Sequence, residues 1–207
     1  MIEAVLWDFG GVILSSPFEA FNEYEARAGL PADFIRTVNS TNPHSNAWAL
    51  LERSDVSADE FGHLFATESE AFGHRVPGAD VLALLSGSVR SEMVVALDMV
   101  VAAGLKTACL TNNVLGGEPR PEVEAVMQRF GHVVESSKVG VRKPETRFYE
   151  IACETVCVEP AACVFLDDLG INLKPAKAMG MTTIKVLGAD QAITDLERVL
   201  GIALRSP

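Results

Sequence analysis

Cysteine is scarce in this 207-residue chain: Cys109, Cys153, Cys157 and Cys163 form no Cys-x-x-Cys pair, and none has a histidine at metal-finger spacing. That excludes a zinc-stapled module. Three of the four sit within apolar runs, where a thiol behaves as a small core hydrophobe. Positive charge is also short, with 17 Lys and Arg against 28 Asp and Glu and a formal net charge of -11. A field of that sign repels nucleic acid and anionic membrane surfaces, so any phosphate-bearing ligand must be received by local cations or a metal. No apolar stretch approaches the ~20 residues that span a bilayer. Glu3 stands where a secretory signal would carry basic residues, so a cytoplasmic, reducing location is expected. There is no internal repeat, no Gly-x-Ser-x-Gly elbow, and no zinc spacing among His44, His63, His74 and His132. Asp8-Phe9-Gly10 matches a kinase metal-binding triplet, but no glycine-rich nucleotide loop precedes it.

What is present suits a soluble globular protein: 48% hydrophobic and 22% charged residues. The length accommodates one α/β core with an inserted subdomain. Five short apolar runs read as buried strands: Ala4 to Trp7, Leu105 to Leu110, His132 to Glu135, Cys163 to Leu166, and Thr182 to Leu187. Their lack of polar alternation suits a parallel sheet covered on both faces. Helical patterns fall between them at 90–103, 121–130, 145–156 and 190–200, several opened by proline or closed by glycine. This alternation predicts a doubly wound α/β core. Residues 15–88 carry helical stretches and no convincing strand, one helix being opened by a capping box, Ser57-x-x-Glu60. Trp48 and Phe18, Phe21, Phe34, Phe61, Phe65 and Phe72 are expected to form that segment's own core. An insert directly after the first strand would sit over the carboxyl ends of the strands, where such sheets bind ligands.

Those strand ends carry the chemistry. The first is followed by Asp8-Phe9-Gly10-Gly11-Val12, and the second ends at Thr111 before Asn112-Asn113. After the third comes Val141-Arg142-Lys143-Pro144, and the fourth ends at Asp167-Asp168 with Asn172 four residues on. Each group alone has a plain explanation as a turn, cap or surface residue; four in succession are harder to dismiss. Three converging acids raise one another's pKa values unless a cation relieves them. Carboxylate and carbonyl oxygens suit Mg²⁺, which also binds phosphate oxygens. Lys143 would hold the nucleophile and the transferring group, while the Thr111 hydroxyl and nearby backbone amides would donate to phosphoryl oxygens. Gly10 and Gly11 would let the backbone turn and approach the ligand closely.

The order Asp-x-x-Gly-Val, Thr-Asn-Asn, Lys-Pro, Asp-Asp-x-x-x-Asn resembles the four signature motifs of the haloacid dehalogenase (HAD) superfamily. Leu110 to Asn113, Val134 to Gly140, Lys143 to Glu145 and Phe165 to Lys174 are similar to the phosphatase domain at the N-terminus of soluble epoxide hydrolases. They also resemble the related domain fused to some acyl-CoA dehydrogenases. The resemblance implies a Rossmann-like HAD core at 1–14 and 89–207, with an inserted α-helical cap of the C1 type at 15–88. It implies that Asp8 is a nucleophile that becomes an aspartyl phosphate. The Gly10 carbonyl, Asp8 and Asp168 would bind Mg²⁺, with Asp167 assisting from behind. Thr111 and Asn112 would bind the phosphoryl group of a small phosphorylated metabolite, Lys143 would neutralise it, and the cap would read the leaving group.

One position departs from the pattern. Most phosphatases of this superfamily carry a second aspartate two residues after the nucleophile; here that residue is Gly10. Losing a positioned general acid costs roughly 10²–10⁴-fold, against a total acceleration for phosphate monoesters that can reach about 10²¹. Three readings follow. The chain is a phosphatase acting on good leaving groups such as sugar 1-phosphates, or one whose cap supplies the proton from Glu19, Glu23, Glu25 or His44. Alternatively it is a 2-haloacid dehalogenase, a class that also lacks this aspartate but uses no metal and no paired acids. The third reading is a catalytically weak or inactive HAD-fold binding module.

Overall fold

The computed structural model describes residues 1–114 and 120–205. Five strands, β1 (Ala4–Trp7), β2 (Lys106–Thr111), β3 (His132–Glu135), β4 (Cys163–Asp167) and β5 (Thr182–Lys185), pair in parallel in the order β3-β2-β1-β4-β5. The helices are α1 (Phe18–Ala28), α2 (Phe34–Ser40), α3 (Ala47–Glu52), α4 (Ala58–Glu70), α5 (Gly78–Ala83), α6 (Ser91–Ala102), α7 (Pro121–Met127), α8 (Ser136–Val139), α9 (Thr146–Val156), α10 (Gly170–Ala178) and α11 (Ala189–Leu200). None is long and apolar enough to cross a membrane.

Period-two geometry explains why the strands lack polar alternation. Val5, Trp7, Cys109, Val164 and Leu166 face one side, against Met93, Leu97 and Val100 of α6 and Ile193 and Leu196 of α11. Ala4, Leu6, Ala108, Leu110 and Phe165 face the other, against Phe148, Tyr149 and Ala152 of α9 and Leu173 and Ala176 of α10. Both faces are covered, so both sets must be apolar. Cys109, Cys153 and Cys163 are buried in these layers, while Cys157 is exposed.

The doubly wound fold expected from the sequence is present, with local differences. α7 stops at Met127 rather than residue 130, the chain tightening there as Phe130 N–H bonds to the Met127 carbonyl. β5 ends at Lys185: Leu187 is 79% exposed, and its N–H is taken by the Gln191 side chain. α10 had no apolar periodicity to announce it, and it carries Pro175 in its interior.

Residues 15–88 contribute α1 to α5 and a third apolar cluster containing Phe21, Phe34, Trp48, Phe61 and Phe65, which also contacts Val114. Phe18 is only partly buried, and Phe72, expected in this core, is 42% exposed. The capping box opens α4 in both directions: Glu60 N–H donates to Ser57 Oγ, and Ser57 N–H to Glu60 Oε2. The chain enters and leaves this segment at one place, where Leu14 and Val89 form an antiparallel bridge. Ser15 N–H bonds to the Ser88 carbonyl and Arg90 N–H to that of Ile13.

Candidate active site

β1 lies at the centre of the sheet between β2 and β4, with Trp7 opposite Leu166. Asp8 and Asp167 therefore leave the sheet at the same level, and Asp8 N–H still bonds to the Leu166 carbonyl at 2.8 Å. This is the crevice where strand order reverses, the usual ligand site of such sheets. Between the two carboxylates sits the ammonium of Lys143, 2.7 Å from Asp8 Oδ1 and 2.9 Å from Asp167 Oδ2, with the side chain 1% exposed. Burial works against that charge, but Asp167 and Asp8 more than offset it and hold the lysine protonated above its ordinary range.

Asp167 is saturated. Besides Lys143, its oxygens accept from Asn172 Nδ2 (3.1 Å to each) and from Leu169 N–H (2.7 Å). Asn172 is fixed in turn, its carbonyl accepting from Tyr149 Oη at 2.6 Å. Asp8 and Asp168 are less well supplied. Asp8 Oδ1 accepts from Phe9 N–H and Lys143, and no donor among the described residues reaches Oδ2. Asp168 offers its main-chain carbonyl to Lys185, leaving its carboxylate without a side-chain donor among them. The three acids can bring one oxygen each within 4.8 Å of one another. Burial, then the Asp167 charge, raises the Asp8 pKa well above the usual carboxylate range. The same two causes push Asp168 up to about 6. Buried acids that raise one another's pKa values in a crevice mark a candidate functional site.

The glycine pair divides into two roles. Gly11 has φ 74°, and a Cβ there would lie 2.1 Å from Asp168 Oδ2, so only glycine lets the loop close against that carboxylate. A Cβ on Gly10 would meet nothing within 4 Å. The carbonyls flanking Gly10 are occupied, that of Phe9 by Ile13 and Leu14 N–H and that of Gly11 by Arg90 Nη1. The Gly10 carbonyl has no partner among the described residues.

Thr111 ends β2, is 7% exposed and lies beside this edge. Asn112 sits differently from expectation. Its Oδ1 accepts from Lys143 N–H (2.9 Å), and its Nδ2 donates to the Lys143 carbonyl (3.0 Å) and to Glu52 Oε2 (3.0 Å). The side chain therefore clamps the lysine's backbone rather than standing free for a ligand. Asn113 binds Ser137 and Glu135, tying β2 to the start of α8. Among the proposed proton donors, Glu25 is ruled out: it is 2% exposed, and its oxygens accept from Asp33 and Ile35 N–H, capping α2. Glu19, Glu23 and His44 are exposed. Glu52, Arg142 as its partner, and Arg90 were not legible as site residues; a helix-terminal Leu-Leu-Glu-Arg has no motif value.

The haloacid dehalogenase-like hydrolase pattern matches residues 2–180. The chain belongs to that hydrolase family. It is 31% identical over 97% of its length both to acyl-CoA dehydrogenase family member 10 and to bifunctional epoxide hydrolase 2 of Mus musculus. It spans only 19% and 39% of those longer proteins. It is 29% identical to Phosphatase MT3486 of Mycobacterium tuberculosis, over 87% of this chain and 85% of that one. In fold it is similar to a HAD family enzyme of Bacteroides thetaiotaomicron solved with magnesium and inorganic phosphate (TM-score 0.63, 19% identity, 95% and 99% of the two chains).

Proposed function

We propose that this hydrolase is a Mg²⁺-dependent phosphatase of small phosphate monoesters, acting through a phosphoryl group carried on Asp8. The observation that carries the reading is the partition of the acids: Asp167 is saturated by donors, whereas among the described residues no donor reaches Asp8 Oδ2, no side chain donates to the Asp168 carboxylate, and one oxygen of each acid lies within 4.8 Å of the others. Hard oxygen donors of that number fit a divalent cation such as Mg²⁺. Asp8, Asp168 and the Gly10 carbonyl would hold it, and Asp167 would act from behind by orienting Lys143. When bound, such a cation would supply positive charge to the phosphoryl oxygens and would favour the ionised Asp8 carboxylate. A phosphatase among the relatives and a magnesium–phosphate complex among the similar folds support this reading.

The chain's own groups then account for the chemistry. Asp8 Oδ2 attacks phosphorus, the ester P–O bond breaks, and the leaving oxygen departs with the electron pair. Lys143, touching the other Asp8 oxygen, holds the nucleophile in line and offsets charge on the transferring group. Water then attacks the same phosphorus, releasing inorganic phosphate and regenerating the Asp8 carboxylate. No side chain at position 10 protonates the leaving oxygen, so the site favours leaving groups that need little help, such as sugar 1-phosphates, aryl phosphates and acyl phosphates. Residues 15–88 act as the cap that covers the strand ends and selects the leaving group.

The test compares aryl phosphate hydrolysis by the parent and Asp8→Asn, with Mg²⁺ and with chelator. Loss of ~10³-fold or more on substitution, and on chelation, is expected for a missing nucleophile. Equal rates in parent and variant would remove the reading. Metal-independent halide release from a 2-haloacid would replace it with a dehalogenase.

A further inference from the structure

Arg142 and Lys143 are consecutive, but their side chains serve different parts of the molecule. Lys143 reaches Asp8 and Asp167; Arg142 reaches the helical insert, pairing through Nε with Glu52 Oε2 and donating from Nη1 to the Pro43 carbonyl (2.9 Å). Glu52 is the last residue of α3, and the same oxygen accepts from Asn112 Nδ2. Asn112 in turn grips both the N–H and the carbonyl of Lys143. A closed ring results, running from Glu52 through Asn112 and the Lys143 backbone to Arg142 and back. The Arg142 and Glu52 side chains are only 12% and 15% exposed. Burial raises the Glu52 pKa, and Arg142 opposes that shift.

A second pair crosses beside it with the signs reversed: Arg53 of the insert meets Glu145 of the lysine loop at 3.0 Å. Ser54 Oγ adds a bond to the Ser137 carbonyl at 3.2 Å. Shielded ion pairs contribute little net stability, because desolvation cancels much of the attraction; their best-attested use is to fix one arrangement over others.

We infer that Glu52 is a positioning residue of the active centre: from the insert it sets the Asn112 amide and, with Arg142, the backbone of Lys143. The lysine then stands correctly between Asp8 and Asp167 only when the insert is docked. The kinetic consequence rests on the phosphatase reading above; the placement of Lys143 does not.

The test uses the full chain in Mg²⁺ buffer, with two readouts on Glu52→Ala and Glu52→Gln. Hydrogen exchange of the segment 141–149 reads the ring directly, without substrate. Glu52→Ala is expected to speed exchange there about tenfold, the equivalent of one hydrogen bond to a charged group. It should lower kcat on an aryl phosphate by a similar factor, with KM within about twofold, since Glu52 touches no substrate in this scheme. Glu52→Gln keeps an acceptor for Asn112 and should recover most of kcat. Should Glu52→Ala fail to fold, Arg142→Lys, which keeps the charge but loses the directed Nε contact, should move both readouts the same way. Unchanged exchange at 141–149 would overturn the inference. So would a rise in KM at constant kcat, which would make Glu52 a substrate contact, or a lower Tm with exchange and kcat untouched, which would make it a mere anchor. A parent without turnover whose segment 141–149 still responds would refute the phosphatase reading while upholding Glu52's hold on Lys143.

Discussion

The strand-end cluster and the helical insert are organised by opposite rules. At the strand ends, buried charges are placed by hydrogen bonds of about the ideal length: Lys143 has two carboxylates within 3 Å, and Asp167 has donors on both oxygens. In the insert, shape dominates. Trp48 and Phe61 lie 4.7 Å apart between ring centres, Phe61 and Phe65 lie 5.6 Å apart, and the buried Trp48 Nε1 has no hydrogen-bond partner. Electrostatic placement tolerates almost no change of residue type, whereas aromatic packing accepts many sequences of similar volume. One region is thus specified by chemistry and the other by bulk.

The comparison breaks if the two regions respond alike to comparable damage. Lys143→Met leaves Asp8 and Asp167 facing each other without a cation. It should lower the phosphatase rate by ~10²–10³-fold and destabilise the fold by about 3–5 kcal/mol, the cost of unpairing a buried charge. Phe61→Ala should cost a similar ~3–5 kcal/mol through the cavity it leaves, yet reduce kcat on a small aryl phosphate far less. Parallel losses of kcat in both variants, measured beside urea melts, would erase the distinction.

A sharper contrast is available two residues from the nucleophile. Gly10→Asp meets open space and restores a carboxyl where a leaving group needs a proton. It should raise turnover of alkyl phosphates by about 10- to 10²-fold and leave aryl phosphates nearly unchanged. Gly11→Ala, one position on, drives a methyl into Asp168 and should abolish Mg²⁺-dependent turnover. If Gly10→Asp changes alkyl and aryl substrates equally, the missing side chain does not set the leaving-group preference.

The smallest effect concerns pH. Burial and Asp167 raise the folded-state pKa of Asp168 to about 6 from an ordinary value near 3.8. The folded state therefore holds its proton more tightly than the unfolded chain does. The stability this confers is present at low pH and is lost as pH rises through about 6. If Mg²⁺ takes the proton's place, as the proposed site requires, the rise in Tm it produces should be small at pH 5 and larger, by a few degrees, at pH 7.5. An equal shift at both values, read by differential scanning fluorimetry, would sink the assignment of Asp168 to the cation.

The same division explains what the sequence could be made to tell. Asp8, Thr111 and Asp167-Asp168 stand at strand ends, and Lys143 in the loop after α8, because the chemistry admits few substitutes, and strands buried on both faces betray themselves as short apolar runs. The fold class and the converging acids were therefore legible. The partner of the Asn112 side chain is not legible, because an amide has no preferred target in one dimension, and this one turns to the Lys143 backbone. α10 leaves no periodic apolar signal, because its buried face is only Asn172, Leu173 and Ala176, interrupted by Pro175. Glu52 was invisible for a deeper reason. Its partners Asn112 and Arg142 lie 60 and 90 positions away, and only the folded chain brings them together.

The single bridge at Leu14 and Val89 has one more implication. Because both covalent crossings meet there, residues 15–88 could be cut out and another helical segment spliced into the same joint without disturbing the order of the five strands. Such a graft would carry its own aromatic filling, but it would also need to bring a carboxylate to Arg142 and Asn112.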